Sequence, residues 1–254
     1  MVTKKITLSL IVGALFSTLA PASADFLLAR RLPTGKQILN ISRFDLDREK
    51  DATTFSNTLV LKGFSPSGAG AILSLPYVSR ETPAGHAEGL GDVSITTTQI
   101  FDPLKGLGIA PYLSVKFPTG EYDSKRKVNP GSGRFDTSLG TTATYNGKYV
   151  ELDARVERTF QTTNSKTGVD LGDVTRASFS LAYTHPGLWV GVEALEQRFG
   201  ADERFGRRTS RSRNILSIGP ETRFKVGEGK LIHIGGKVDD EKSYAIEARF
   251  FWNF

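Results

Sequence analysis

The chain ends on a run, Ser243 to Phe254, in which every second side chain is apolar. Counting back from the end, Phe254, Trp252, Phe250, Ala248, Ile246 and Tyr244 form one set, and Asn253, Phe251, Arg249, Glu247 and Ala245 form the other. Successive side chains of a strand point to opposite faces, so the spacing predicts a strand with one greasy face and one mixed, charged face. As the exposed edge of a soluble sandwich, a strand this long and apolar would recruit other chains and aggregate. The segment therefore asks for a pairing partner on both edges and an apolar medium on one face.

A terminal aromatic closing such a strand resembles the C-terminal signature of bacterial outer-membrane β-barrels, which the barrel-assembly machinery reads; Phe250, Trp252 and Phe254 would carry that signal. The other end of the chain agrees. Lys4 and Lys5 precede an uncharged run from Ile6 to Ala20, followed by small residues at Ala22 and Ala24. This is the pattern of a secretory signal peptide cut after Ala24, and the apolar run is too short for a spanning helix. Residues 1–24 are expected to be the signal and 25–254 a single domain.

The chain contains no Cys, so an exported fold of this sequence is not held by disulfides. Mean hydropathy is −0.23, and no long apolar run follows the signal, which excludes a helical membrane protein. A transmembrane barrel is not excluded, because only alternate residues of its strands face lipid. The formal net charge of +6, two units of which lie in the signal, does not call for a nucleic-acid partner.

Strand-length segments follow one another from about Lys36. In the first, to Leu46, Leu39 and Ile41 are expected outside, with Asn40 and Ser42 inside. The second runs near Asn57 to Phe64. In the third, Ala71, Leu73, Leu75 and Tyr77 share a face, and a polar loop from Arg80 to Glu88 follows. The fourth sets Val93, Ile95 and Phe101 against Asp92, Ser94, Thr96 and Thr98. In the fifth, Ile109, Pro111, Leu113, Val115 and Phe117 oppose Ala110, Tyr112, Ser114 and Lys116. The longest loop, Pro118 to Arg134, leads to a sixth strand with Phe135, Leu139, Ala143 and Tyr145 together.

The seventh strand alternates most clearly. Val150, Leu152, Ala154 and Val156 face one way; Glu151, Asp153, Arg155 and Glu157 face the other. The eighth sets Ala177, Phe179, Leu181 and Tyr183 against Arg176, Ser178 and Ser180, and the ninth sets Leu188, Val190, Val192 and Ala194 against Trp189, Gly191 and Glu193. Leu216, Ile218 and Phe224 oppose Glu221 and Arg223 in the tenth; Ile232, Ile234 and Val238 oppose His233 and Lys237 in the eleventh. With the terminal strand this makes about twelve. Short turns fall on the side of the termini and longer loops opposite, the pattern of an outer-membrane barrel. Lipid leaves no partner for an open edge, so the last strand must pair with the first. The expected fold is an all-β, antiparallel transmembrane β-barrel.

Chemical motifs are few. His86, His185 and His233 are scattered, and no His or Cys pair stands at ligand spacing, so neither a metal site nor a cofactor nor catalysis is expected. Asp45-Leu-Asp47 and Asp239-Asp-Glu241 could hold Ca²⁺ in external loops, but solvated acidic loops are the plainer reading. Gly227-Glu-Gly-Lys230 lacks the full phosphate-loop spacing and reads as a turn. Arg204, Arg207, Arg208, Arg211 and Arg213 cluster after the ninth strand. Contact with lipopolysaccharide phosphates, steering of anionic solutes and plain solubility all fit them, the first slightly better because the guanidinium fork matches phosphate.

The middle of the chain carries a family resemblance. Gly89-Leu-Gly-Asp92-Val, Lys116-Phe-Pro-Thr-Gly120 and Gly131-Ser-Gly133 followed by Phe135-Asp136 resemble, in order and spacing, the "putative MetA-pathway of phenol degradation" family. The resemblance implies an outer-membrane barrel with a role in transport, found in part near aromatic-degradation genes; it brings no catalytic or binding residues. Physically, Pro118 ends a ladder, while Gly131 and Gly133 let the long loop either fold inward as a constriction or stay outside.

The expected function is a channel or facilitator for small solutes, with aromatic acids fitting both the resemblance and the inward polar side chains. Pore-lining candidates are the inward set: Tyr112 and Lys116; Glu151, Asp153, Arg155 and Glu157; Arg176, Trp189 and Glu193; Arg223, His233, Glu247 and Arg249. Tyr112 and Trp189 would stack on an aromatic ring while Arg155, Arg176 or Arg249 meets its carboxylate. The alternative is a sealed structural barrel that binds lipopolysaccharide through its loops.

Overall fold

The computed structural model describes residues 35–47, 51–123, 128–164, 169–201, 203–204, 207–208, 212–241 and 243–253. The expected signal segment, Arg211 and Phe254 lie outside them, as do the side chains of Arg204, Arg207 and Arg208. Twelve strands form the ring: β1 (Gly35–Asp47), β2 (Ala52–Phe64), β3 (Ala69–Thr82), β4 (Ser94–Gln99), β5 (Leu107–Lys116) and β6 (Asp136–Asn146) make one half. The other half is β7 (Val150–Gln161), β8 (Val174–His185), β9 (Leu188–Phe199), β10 (Arg213–Gly227), β11 (Lys230–Asp239) and β12 (Tyr244–Asn253). Each strand pairs antiparallel with its sequence neighbours, and β12 pairs with β1 from Gln37↔Asn253 to Leu46↔Tyr244, which closes the sheet.

The outer surface is apolar because one parity of every strand supplies it. Val156, Phe179, Leu181, Val190, Val192, Leu216, Ile218 and Ile246 are exposed there, about half their area open. The opposite parity is buried although much of it is polar or charged. A soluble protein would have the two reversed. An exposed apolar belt around a buried polar interior, on a sheet without an edge, is the construction of a membrane-spanning barrel.

Strand β1 departs from the sequence expectation. Leu39 and Ile41 are buried on the inner face, and Asn40 and Ser42 lie on the outer one, opposite Phe250 and Ala248. The same parity that turns Leu39 inward also carries Gln37, Arg43 and Asp45. A one-residue slip would move Arg43 and Asp45 into lipid, so two charges outweigh two small polar side chains. Inside, Leu39 and Ile41 join Val60, Phe64, Ile72, Ala110, Tyr112 and Phe251 in an apolar cluster. It fills one side of the barrel, mainly toward the end that holds the tight turns.

The expected polar loop after β3 is instead a hairpin. Strand β3 continues to Thr82, and Gly85–Leu90 returns along it from Thr82↔Gly85 to Tyr77↔Leu90. The chain then breaks at Gly91–Val93 before resuming as β4, paired Ser74↔Ser94. The break adds one residue, so the buried parity changes from Ala87 and Gly89 to Ser94, Thr96 and Thr98. Pro76, which has no N–H to donate, sits at the break and accepts from Gly91 N at 2.9 Å.

Candidate functional site: a charged vestibule and its floor

A cavity of about 360 Å³ occupies the end of the barrel that carries the long loops. Strand β1 brings Arg43 and Asp45 to it, β7 brings Asp153 and Arg155, and β9 brings Glu193, Leu195 and Phe199. Strands β10 to β12 add Arg213, Ile215, Lys237, Glu247 and Arg249. Strand alternation explains the grouping: each of these side chains has inward parity on its strand. Six basic and seven acidic residues line the cavity, so no single-sign field selects its occupant. Local pairing does. Arg43 contacts Asp45 at 2.7 Å, Lys237 contacts Glu193 at 2.7 Å, and Arg249 pairs with Glu247.

Arg249 is 7% exposed, and its Nη1 has no hydrogen-bond partner among the described residues. A guanidinium offers five N–H donors, and a buried one left idle is costly. Leu195, Phe199 and Ile215 supply apolar lining to the same cavity. Arg213, at the rim, stacks 4.7 Å over the Phe199 ring and reaches Glu241 at 3.5 Å.

Toward the turn end, the lumen narrows to a floor. Glu151 accepts from Arg223 Nη1 at 2.8 Å and from Trp189 Nε1 at 2.9 Å, while the Arg223 guanidinium stacks 3.8 Å over the Trp189 ring. His233 lies edge-on to Trp189 and 2.9 Å from Glu221. All of these are buried, and beside them lies the apolar cluster. A second network stands at the β5–β8 wall. Glu157 is held by Arg155 at 2.6 Å and Arg176 at 2.8 Å; Tyr112 donates to Glu157 at 2.8 Å and accepts from Arg155 Nε at 2.9 Å. Asp153 accepts from Thr144.

The thirteen inward candidates from the sequence thus divide by place. Asp153, Arg155, Glu193, Glu247 and Arg249 line the cavity. Glu151, Trp189, Arg223 and His233 form the floor, while Tyr112, Glu157 and Arg176 are tied into the wall network. Tyr112 and Trp189 do not line the cavity; Phe199 does. Arg43 was not among the expected lining residues because β1 has the opposite register to the one expected, and Asp45 was expected in a solvated acidic loop. Their spacing of two residues in a strand was the signal that could have joined them. In the other acidic loop, Asp239 and Asp240 accept from the backbone N–H groups of Ser243 and Leu216.

Lys116 belongs to another assembly, in which the three sequence motifs converge. Asp92 accepts from Gly120 N at 3.1 Å, from Ser132 N at 2.8 Å and from the Ser132 hydroxyl. Lys116 bridges Asp92, at 3.8 Å, and Asp136. A Cβ on Gly120 would lie 2.6 Å from the Gly91 carbonyl carbon, and one on Gly131 would lie 2.8 Å from that of Gly120, so three backbones meet where only glycine fits. Gly133, at φ +64°, turns the chain in the left-handed region. Lys116 and Asp136 have inward parity, so this clasp fastens the long loop against the lumen side, with Val128 and Arg134 buried.

Comparisons with known proteins agree with this architecture. The COG4313 outer membrane channel from Pseudomonas putida F1 superposes with a TM-score of 0.78 at 14% identity, over 93% of this chain and 100% of that one. A KdgM porin in complex with disordered oligogalacturonate gives 0.56 at 9% identity, covering 86% and 99%. A NanC porin gives 0.56 at 8%, covering 87% and 100%. At these identities the likeness shows a shared fold. A search of curated proteins found no match. The family model described as "Putative MetA-pathway of phenol degradation" matches residues 30–254, the barrel and the clasp included, and the chain belongs to that family.

Proposed function

We propose that the protein is an outer-membrane channel for small organic acids, taken up from the loop end through the vestibule. The Arg249 guanidinium, which lines the vestibule together with Leu195, Phe199 and Ile215, carries this reading. A carboxylate suits the guanidinium and a compact apolar body suits the wall, which together describe an aromatic acid. Structural likeness to an outer membrane channel and to two porins supports a conducting role. Passage onward requires the Glu151–Arg223 floor to part, which makes the channel narrow and gated.

Single-channel recording in a planar bilayer tests the reading. Benzoate added on the loop side should interrupt the current in wild type, and Arg249→Gln should keep the conductance while shortening the interruptions several-fold. Identical benzoate effects in both proteins would remove Arg249 from the path. The second reading, a sealed structural barrel, draws on the buried floor residues. It predicts no conductance at all and unchanged uptake of limiting benzoate when the gene is deleted.

A further inference from the structure

The outer face of the barrel carries a polar group of side chains on β1 and β2. Asn40 and Asn57 exchange amide hydrogen bonds at 2.8 and 3.0 Å. Asn57 Nδ2 also reaches Ser42 Oγ at 3.3 Å, and that hydroxyl donates to Asn40 Oδ1 at 3.2 Å. The register shows that all three face outward. Ser42 stands opposite Ala248 and Asn57, Asn57 opposite Tyr77, and Asn40 opposite Phe250 and Leu59. Around them lie Ile38, Leu61 and Trp252 toward the turn end and Phe44 and Phe55 toward the loop end. Farther toward the loop end a second outward polar group, Glu196 with Arg198 and Asn214, is exposed; Asn40, Ser42 and Asn57 are set instead among apolar neighbours.

Hydrogen-bond capacity within the group does not close. Among the described residues, Asn57 Nδ2 uses both its hydrogens, but Asn40 Nδ2 donates only one; Asn40 Oδ1 accepts two bonds, but Asn57 Oδ1 accepts one. The remainder is one amide donor on β1 and one acceptor on the neighbouring β2. Lipid satisfies neither. A second copy related by a two-fold axis along the membrane normal satisfies both. That operation keeps each residue at its own depth and sets β1 of one barrel against β2 of the other. Asn40 then donates to Asn57 of the second copy, and the reverse bond follows by symmetry. Small polar side chains bonding across a lipid-embedded contact are an established way for membrane segments to associate.

We propose that the β1–β2 face is the contact surface for a second copy of this chain, centred on Asn40 and Asn57. The full protein, which has no native Cys, allows a direct test in outer membranes. Leu59→Cys, next to the amide pair and outward, should give a disulfide-linked dimer under mild oxidation. Val190→Cys, outward on the far wall, should give none. Adding Asn40→Leu and Asn57→Leu to Leu59→Cys should reduce the dimer at least five-fold while the barrel keeps its heat-dependent gel shift. Three results would overturn the proposal: no dimer from Leu59→Cys, equal dimer from both cysteines, or a cross-linked band of another mass showing a different protein on this face.

Discussion

Glu151 and Arg223 are separated by 72 positions in the chain and meet at 2.8 Å inside the barrel, each 2% exposed. Burying either charge in this interior is costly without the other. Trp189 adds a donated hydrogen bond to Glu151 and a ring face to Arg223, so three strands are locked together at the floor.

Breaking that pair should cost more than deleting it. Glu151→Gln alone leaves Arg223 buried without its counter-charge and should destabilise the barrel by about 3–5 kcal/mol, whereas Glu151→Gln with Arg223→Met should recover much of the loss. Urea unfolding in detergent micelles measures both. A channel would also conduct more freely in the double variant, since its floor is then uncharged.

The two faces of β7 should respond oppositely to charge. Val156 is outward and 55% exposed, so Val156→Arg should cost about 2–4 kcal/mol of folding in lipid if it lies near the bilayer midplane. Arg155→Ala removes a partner of Glu157 but leaves Arg176 and Tyr112 in place, and assembly should proceed. A refolding titration into vesicles ranks the two.

The clasp should hold the long loop without holding the barrel. Asp92→Ala orphans the backbone donors of Gly120 and Ser132 while Lys116 keeps Asp136, a loss of about 1–3 kcal/mol at that site. Limited proteolysis should then cut residues 118–134 faster than in wild type. Gly131→Val should behave the same way, because its side chain would collide with the Gly120 backbone.

Closure of β1 onto β12 should appear on a gel. With each strand paired on both sides, unboiled protein in SDS should migrate apart from the boiled form. Neither Asp92→Ala nor Arg155→Ala should abolish that difference, since the β1–β12 ladder is untouched.

Much of this was legible from residue order alone. Alternation in β7, with Glu151, Asp153, Arg155 and Glu157 against Val150, Leu152, Ala154 and Val156, specified strand, face and membrane setting at once, because a strand's side-chain period is fixed at two. The strand number and the alternation of short turns with long loops followed from the same rhythm. Strand β1 shows where the rhythm is insufficient. Its two parities are almost equally polar, and its face was set by pairing with β2 and β12, which keeps Arg43 and Asp45 out of lipid. The clasp shows the same limit at longer range. Asp92, Lys116, Gly120, Ser132 and Asp136 were recognisable as motifs, but their meeting depends on how loops cross the mouth of a closed barrel. Sequence determined the periodic, local properties of this protein. Which inward charges line the vestibule and which lock the floor was decided by the curvature of the sheet, because partners such as Glu151 and Arg223, three strands apart, meet only where the sheet curls round the lumen.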